Sequence, residues 1–437
     1  MVKISFLGSC REVGRSAILV EAKSGAKVLL DYGVRFSEEE RLPQPSDLSG
    51  LEAVALTHCH VDHSGGLPSL YRNGQIPFFT NPITARITDV LLKDMMRISS
   101  YNYPFGMKEI HKLMSNSYYL PNSTKHRIND DFSITFYDAG HIPGSVSIML
   151  EVDKKRILYT GDINTIPTRL VESANPNSLP DIDALILEST YALREHPDRK
   201  NLEVDFVKNV MNVVDNGGTT LVPAFGVARS QEALVILKKH HYRGRIVIDG
   251  MAREIAKIYK EYPESIKNIN SYRKSLRNAH FISQRRSRRD RARAKKHSGV
   301  IIAPSGMLKG GTAISYAKTF LRDPNSAIYL VGYQVEGSPG RQLIEEGVFD
   351  YVERSRHHNN VNELHIEAKC DLEYFDFSSH ADGPHLESYV ENLNFRNSSN
   401  SVFCVHGDNK STTSLARTLT KKSYNSVAPE TGESYIV

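Results

Sequence analysis

Short apolar runs alternate with glycine- and aspartate-containing turns through the first part of the chain. VKISFLG, SAILVEA, KVLLDYG, EAVALT, FSITFYDAG, VSIMLEV, RILYTGD and ALILEST are rich in Ile, Val, Leu and Phe and are stopped by polar residues. Each predicts a β-strand. A helical stretch over 83–99 lies among them, with Pro82 placed to start it. Strands outnumber helices, so layered β-structure with helical cover is expected up to about Glu188.

From about Tyr191 the rhythm changes. NLEVDFVKNVMNVVDNGG predicts a helix closed by Gly217, TTLVPAFG a strand and SQEALVILKKHH a helix. RIVIDGMA, GVIIAPSG and SAIYLVGYQ have the unbroken apolar character of buried parallel strands, each followed by a helix or a Gly-rich loop. An α/β module is expected up to Ala368. Beyond Cys370, EYFDFSSHADG and NSVFCVHGD return to strands that end near a histidine. The boundaries implied are 1–190 for the first part of one domain, 191–368 for an inserted one, and 369–437 for the remainder of the first.

A length of 437 residues, with 40% hydrophobic and 24% charged residues, is that of a globular protein of two domains, or of one with a large insertion. No apolar run approaches the roughly 20 residues of a membrane helix, so no membrane partner is expected. The start, MVKISFLGSC, has neither the basic beginning nor the apolar middle of a signal peptide. Cys10, Cys59, Cys370 and Cys404 are scattered, as free thiols in a reducing compartment are. A cytoplasmic location is expected. Lys and Arg total 55 against 50 acids, an excess that permits a polyanionic partner without demanding one.

Chemistry concentrates in LTHCHVDHSGG, Leu56 to Gly66, where a strand ends. Zinc needs several imidazole nitrogens or carboxylate oxygens converging within about 2 Å of one point. In an extended segment His58 and His60 point the same way. Asp62 and His63 reach a neighbouring point if the chain bends, which Gly65 and Gly66 allow. The spacing therefore suits two adjacent metals. Further ligands stand at other strand ends, in the positions of His141, Asp162 and His406.

THCHVDHSG resembles the HxHxDH signature of metallo-β-lactamase-fold hydrolases. LLDYG, DAGHIPGS, TGDIN, LESTYA, VPAFGVARSQE, SGMLKGG, GYQVEGSPGRQL, FSSHADG and CVHGD together resemble the β-CASP subgroup of nucleic-acid nucleases. The set is most like the endonuclease subunit of the cleavage and polyadenylation specificity factor and its stand-alone archaeal relatives, in the short form without KH domains. The resemblance implies an α/β fold: a metallo-β-lactamase αββα sandwich with an inserted α/β β-CASP domain closing over it, leaving a cleft for one strand.

It also implies roles. Two Zn2+ per chain are expected, one held by His58, His60 and His141, the other by Asp62, His63 and His406, with Asp162 bridging. Asp31 is expected beside the metals, orienting the His58–His63 loop. His380 is expected as general acid toward the leaving oxygen, with Glu188 orienting it. The activity implied is hydrolysis of RNA phosphodiester bonds as an endonuclease, with a 5′→3′ exonuclease mode as an accompaniment. A ribonuclease J-type 5′→3′ exonuclease and a catalytically silent RNA-binding subunit are the alternatives. A lactamase or glyoxalase has no need of the α/β insert.

Glycine-rich turns followed by donors make Arg341, Ser378 and Ser379 candidate contacts to the phosphates of single-stranded RNA. Tyr333 and Phe225 are either base-stacking platforms or core. Ser271 to His297 carries eleven Lys and Arg and a single Asp. Its segment 284–297 is expected as a helix that either tracks phosphates or is simply solvated. The tail SYNSVAPETGESYIV either forms a homodimer contact or completes a sheet.

Overall fold

The computed structural model describes residues 1–35, 41–72, 74–99, 101–354, 361–396 and 400–437. The chain divides into two compact units, one of Met1–Glu195 with Ser379–Val437, the other of His196–Ser378.

The first unit is built on two seven-stranded sheets. One runs in the order Ser434–Ile436, Lys3–Gly8, Ala17–Glu21, Lys27–Leu30, Leu51–Ala55, Phe78–Thr80, Ser117–Tyr119. The other runs Asn425–Val427, Ser401–Val405, Ala184–Glu188, Lys155–Tyr159, Val146–Val152, Phe132–Asp138, His126–Arg127. Alternate residues of each strand face opposite ways. Ile4, Phe6, Ile18, Val20, Val28 and Leu30 of the first sheet pack against Ile134, Phe136, Ile148, Leu150, Ile157 and Ile186 of the second. The intervening residues Leu19, Leu29 and Val54 pack outward in one cluster with Leu92 and Met95 of the helix Pro82–Ile98 and with Ile110 and Leu113 of the helix Met107–Ser115. Leu158, Leu185 and Cys404 do the same with the helices Gly383–Glu391 and Asn409–Lys421. The result is an αββα sandwich.

The tail strands are used within the chain. Asn425–Val427 pairs in parallel with Ser401–Phe403, and Ser434–Ile436 pairs antiparallel with Lys3–Ser5. The tail therefore completes both sheets.

The second unit holds a six-stranded, all-parallel sheet. Its order is Ala279–Phe281, Ile246–Ile248, Gly299–Ala303, Thr219–Pro223, Ala327–Leu330, Asp371–Tyr374. The strand from 371 pairs with Ala327–Leu330 and lies with this unit, so residues 371–378 group with the insert, ten residues past the boundary suggested by sequence. Backbone pairing decides membership there, and apolar pattern alone does not encode a strand's partner. The basic helix is shorter than expected, covering Ser287–Ala294. Phe225 is half-buried and packs beside Gly306 and Gly332.

The predicted bend after His60 is one turn of α-helix, Val61–Ser64. Gly65 and Gly66 have negative φ, so the reason for glycine there is space: a Cβ on Gly65 meets Val34 and Val61 at 2.6 Å. Gly33 is tighter still, a Cβ falling 1.7 Å from the Asp62 carbonyl oxygen. Gly33→Ala is expected to cost at least about 3 kcal/mol, because backbone must move to admit the methyl. Thermal melting should show a fall of roughly 6–12 °C, and an unchanged midpoint would refute this account of Gly33.

Candidate metal centre

The strands Lys155–Tyr159, Ala184–Glu188 and Ser401–Val405 run parallel, so their C-terminal ends share one rim. Asp162, Glu188 and His406 sit at those ends. Lys27–Leu30 and Leu51–Ala55 are likewise parallel and deliver Asp31 and His58. His141 follows the strand Phe132–Asp138. All seven ligand candidates are thereby brought together, in two groups: His58, His60, His141 with Asp162, and Asp62, His63 with His406.

Imidazole nitrogens face one another across both groups. His58 Nε2 lies 3.1 Å from His60 Nδ1, which lies 3.3 Å from His141 Nε2. His63 Nε2 lies 3.2 Å from His406 Nε2. The two oxygens of Asp162 are divided between the groups. Oδ2 is 3.3 Å from His58 Nε2 and 3.6 Å from His141 Nε2, whereas Oδ1 is 3.3 Å from both His63 Nε2 and His406 Nδ1. Asp62 Oδ2 is 3.5 Å from His406 Nε2.

The outer nitrogens are fixed by hydrogen bonds that leave the inner ones as acceptors. His141 Nδ1 donates to the Ser379 carbonyl at 2.8 Å. His63 Nδ1 donates to Asp31 Oδ2 at 2.7 Å. The Thr57 hydroxyl donates to Asp31 at 2.8 Å and so accepts from His58 Nδ1 at 3.1 Å. The Thr190 hydroxyl donates to the His406 carbonyl at 3.1 Å and lies 3.2 Å from His406 Nδ1.

Electrostatics separates the residues. Burial, followed by neighbouring imidazoles, lowers His58 and His141 below the ordinary histidine range and brings His60 down to about 3. Burial opposes charge on His63 as well, but Asp162 and Asp31 outweigh it and raise that pKa. For Asp162, burial is outweighed by His406, His63 and His380, which hold the carboxyl well below the usual range.

Opposite the ligand groups, His380 Nδ1 meets both oxygens of Glu188, at 3.0 and 3.1 Å. Its Nε2 is directed at the centre, 4.0 Å from Asp162 Oδ2. Glu188 in turn accepts from the backbone N–H groups of Ile163 at 2.9 Å and Thr190 at 3.2 Å.

Three sequence regions match known domain families: a beta-lactamase superfamily domain over 26–216, a Beta-Casp domain over 230–343, and a Zn-dependent metallo-hydrolase RNA specificity domain over 365–429. The chain is 37% identical over 98% of its length to a Saccharolobus solfataricus protein named RNase aCSPSF2, covering 84% of that protein. The chain belongs to the metallo-β-lactamase-fold β-CASP family. This β-CASP protein is also 33% identical to a Methanocaldococcus jannaschii protein named "Probable RNase MJ4", over 99% of each chain. It is 30% identical to the transcription termination factor FttA of Methanosarcina mazei, over 96% of this chain and 69% of that one. A crystal structure of an Enterococcus faecalis protein of unknown function shares the fold, with a TM-score of 0.58 at 14% identity over all of both chains.

The residues fit a metal. A tetrahedral ion with the roughly 2.0–2.1 Å bonds typical of zinc to imidazole holds its ligand atoms about 3.3 Å apart, the spacing seen among the inner nitrogens. Asp162 Oδ1 is buried and makes no hydrogen bond, as an oxygen aimed at an ion does.

Sequence reasoning missed Tyr159, whose hydroxyl donates to Asp31 at 2.9 Å across the sandwich, together with Thr57 and Thr190. Nothing in RILYTGD marks that tyrosine, since the pairing that aims it is long-range. Arg341 is paired with Glu345, Ser378 donates its N–H to Asp376 at 3.2 Å, and Ser379 is buried against His141. Cys59 is fully buried, its thiol pushed up by desolvation.

Asp31→Asn preserves shape but removes acceptor capacity that His63 and Thr57 both use. Loss of such an outer partner typically weakens metal binding about 10–100-fold. Competition with a chromogenic chelator should show that drop while the circular dichroism spectrum stays unchanged; undiminished retention would remove Asp31 from the centre.

Proposed function

We propose that this chain is a zinc-dependent ribonuclease that hydrolyses phosphodiester bonds of single-stranded RNA in RNA processing or decay. Two zinc ions are assigned, one to His58, His60 and His141, the other to Asp62, His63 and His406. Asp162 is shared between them. The observation that carries this reading is the divided Asp162 carboxylate, with one oxygen turned to each group of imidazoles. The names of the relatives supply the substrate: RNase aCSPSF2 and the M. jannaschii protein are called ribonucleases. No described helix is long and apolar enough to cross a membrane. The four cysteines are free and buried, which supports a cytoplasmic setting.

Bound zinc supplies Lewis acidity and brings the pKa of water toward neutrality. The chain's own residues do the rest. Asp31, Thr57 and the Ser379 carbonyl take the outer N–H groups of His63, His58 and His141, which turns their inner nitrogens toward the ion. Glu188 occupies His380 Nδ1, which stabilises the imidazolium and leaves the Nε2 proton pointing inward. When the bond to the leaving oxygen breaks, that proton passes from His380 Nε2 to the oxygen and the imidazolium becomes neutral. Products with a 5′ phosphate and a 3′ hydroxyl follow.

His380→Ala is expected to retain zinc at wild-type stoichiometry and to lose about 10²–10⁴-fold in turnover. Metal analysis and single-turnover cleavage check the two halves, and normal turnover would dismiss His380 as the acid. Circular RNA tests the mode of attack. Linearisation establishes endonucleolytic cleavage. Resistance of the circle, with a 5′-monophosphate linear RNA degraded, would replace it by the 5′→3′ exonuclease of the ribonuclease J type.

A further inference from the structure

A cavity of about 710 Å³ in the second unit is lined by Lys238, Lys239, His241, Arg243, Arg245 and Lys274, and no carboxylate lines it. Among the described residues none of these five Lys and Arg side chains has a carboxylate within ion-pair distance. Asp215 is near enough to help raise the Tyr242 pKa but does not line the cavity.

Part of this charge has a local explanation. Lys238 and Lys239 lie in the last turn of the helix Arg229–Lys239, and Lys274 in the last turn of Ile269–Arg277, where cations offset the helix dipole. Arg243 and Arg245 lie beyond the helix and are not covered by that explanation. Arg245 is half-buried, and burial together with Arg293 lowers its pKa. Crowding cations without a counter-charge is unfavourable unless an anion joins them.

The cavity is continuous with the basic run. Arg245 Nη1 donates to the carbonyls of Ala294 at 3.2 Å and His297 at 3.0 Å, where the basic helix Ser287–Ala294 ends. Within that run Arg291 is used structurally, bound to Asp249 at 2.6 Å, and Lys295 caps Ser315. Arg285, Arg286, Arg288, Arg289 and Arg293 are exposed. A basic pocket next to a helix that bears several exposed arginines suits a chain of phosphates better than one headgroup.

We propose that this cavity is an auxiliary binding site for the phosphodiester backbone of single-stranded RNA, apart from the metal centre; the identity of the ligand rests on the ribonuclease assignment. Lys239, Arg243 and Lys274 are exposed and supply the contacts, and the exposed arginines continue the track.

The test uses metal-loaded protein carrying His380→Ala in both arms, so that the probe stays intact, with and without Lys239→Gln, Arg243→Gln and Lys274→Gln. Binding of a labelled oligouridylate of about 16 nucleotides is followed by fluorescence anisotropy between about 50 and 200 mM salt. Loss of three contacts should lower affinity by about tenfold and flatten the log–log salt slope by about 2. Arg243→Gln alone should give about a third of that change in slope, which covers a triple variant that fails to fold. An unchanged slope overturns the proposal. So does weaker binding to phosphatidylserine vesicles with RNA binding intact, which would assign the cavity to a lipid surface. If the protein with His380 intact cleaves RNA while the variant binds it normally, only the auxiliary site is lost. If it neither binds nor cleaves RNA, the ribonuclease assignment falls as well.

Discussion

The Asp31 carboxylate is the contact on which the centre depends. It has no exposed surface, yet accepts from the Thr57 backbone N–H, the Thr57 hydroxyl, His63 Nδ1 and the Tyr159 hydroxyl, all at 2.7–2.9 Å. A buried carboxylate must find in the protein the hydrogen bonds that water would otherwise supply; four donors do this for Asp31. Asp31 thereby sets two tautomers at once, that of His63 directly and that of His58 through Thr57. It also ties the sheets together, since Asp31 follows a strand of one and Tyr159 ends a strand of the other. The backbone of Asp31 is left-handed, φ 57°, as is that of His406, φ 51°. Two non-glycine residues held in that region cost about 1 kcal/mol or more each, a cost that the hydrogen-bonded surroundings sustain.

Most of this frame was legible in the sequence because strands buried on both faces leave unbroken apolar runs. Ala184–Glu188 lies where such a run stands, and Phe132–Asp138 and Val146–Val152 lie where apolar residues recur at strand spacing. The ligand candidates were legible for a related reason: parallel strands end at a common rim, so polar residues just past apolar runs converge. Partnership was not legible. The strand Asp371–Tyr374 looks the same whichever sheet receives it, and Tyr159 looks like any core tyrosine. The basic run reads as one feature in sequence, whereas the structure splits it: Asp249, forty-two residues from Arg291, withdraws that arginine from the surface.

Close approach explains much of what glycine does around the centre. At Gly33 and Gly65 the obstacle to a side chain is neighbouring backbone or a packed valine, and no unusual torsion is involved. At Gly161 both apply: φ is +55° and a Cβ would fall 2.8 Å from the Thr57 side chain. These glycines let the turn that carries Asp62 and His63 press against Gly33 and Val34 and the loop that carries Asp162 press against Thr57, which is how ligand atoms from distant segments come within hydrogen-bond distance of one another.

The donor set also bears on the substrate. Under the proposed assignment two divalent ions face five neutral imidazoles and only two carboxylates, Asp62 and Asp162. Glu188 is occupied by His380, and Asp31 is screened behind His63 and Thr57. The carboxylates therefore offset only part of the ionic charge, and the centre remains cationic toward the solvent side. A neutral small substrate gains little from that surplus, whereas a phosphodiester carries its negative charge on the non-bridging oxygens beside the bond to be broken. With most of the centre withdrawn from water, the field is weakly screened, so that surplus selects an anionic ester and stabilises charge that grows on it.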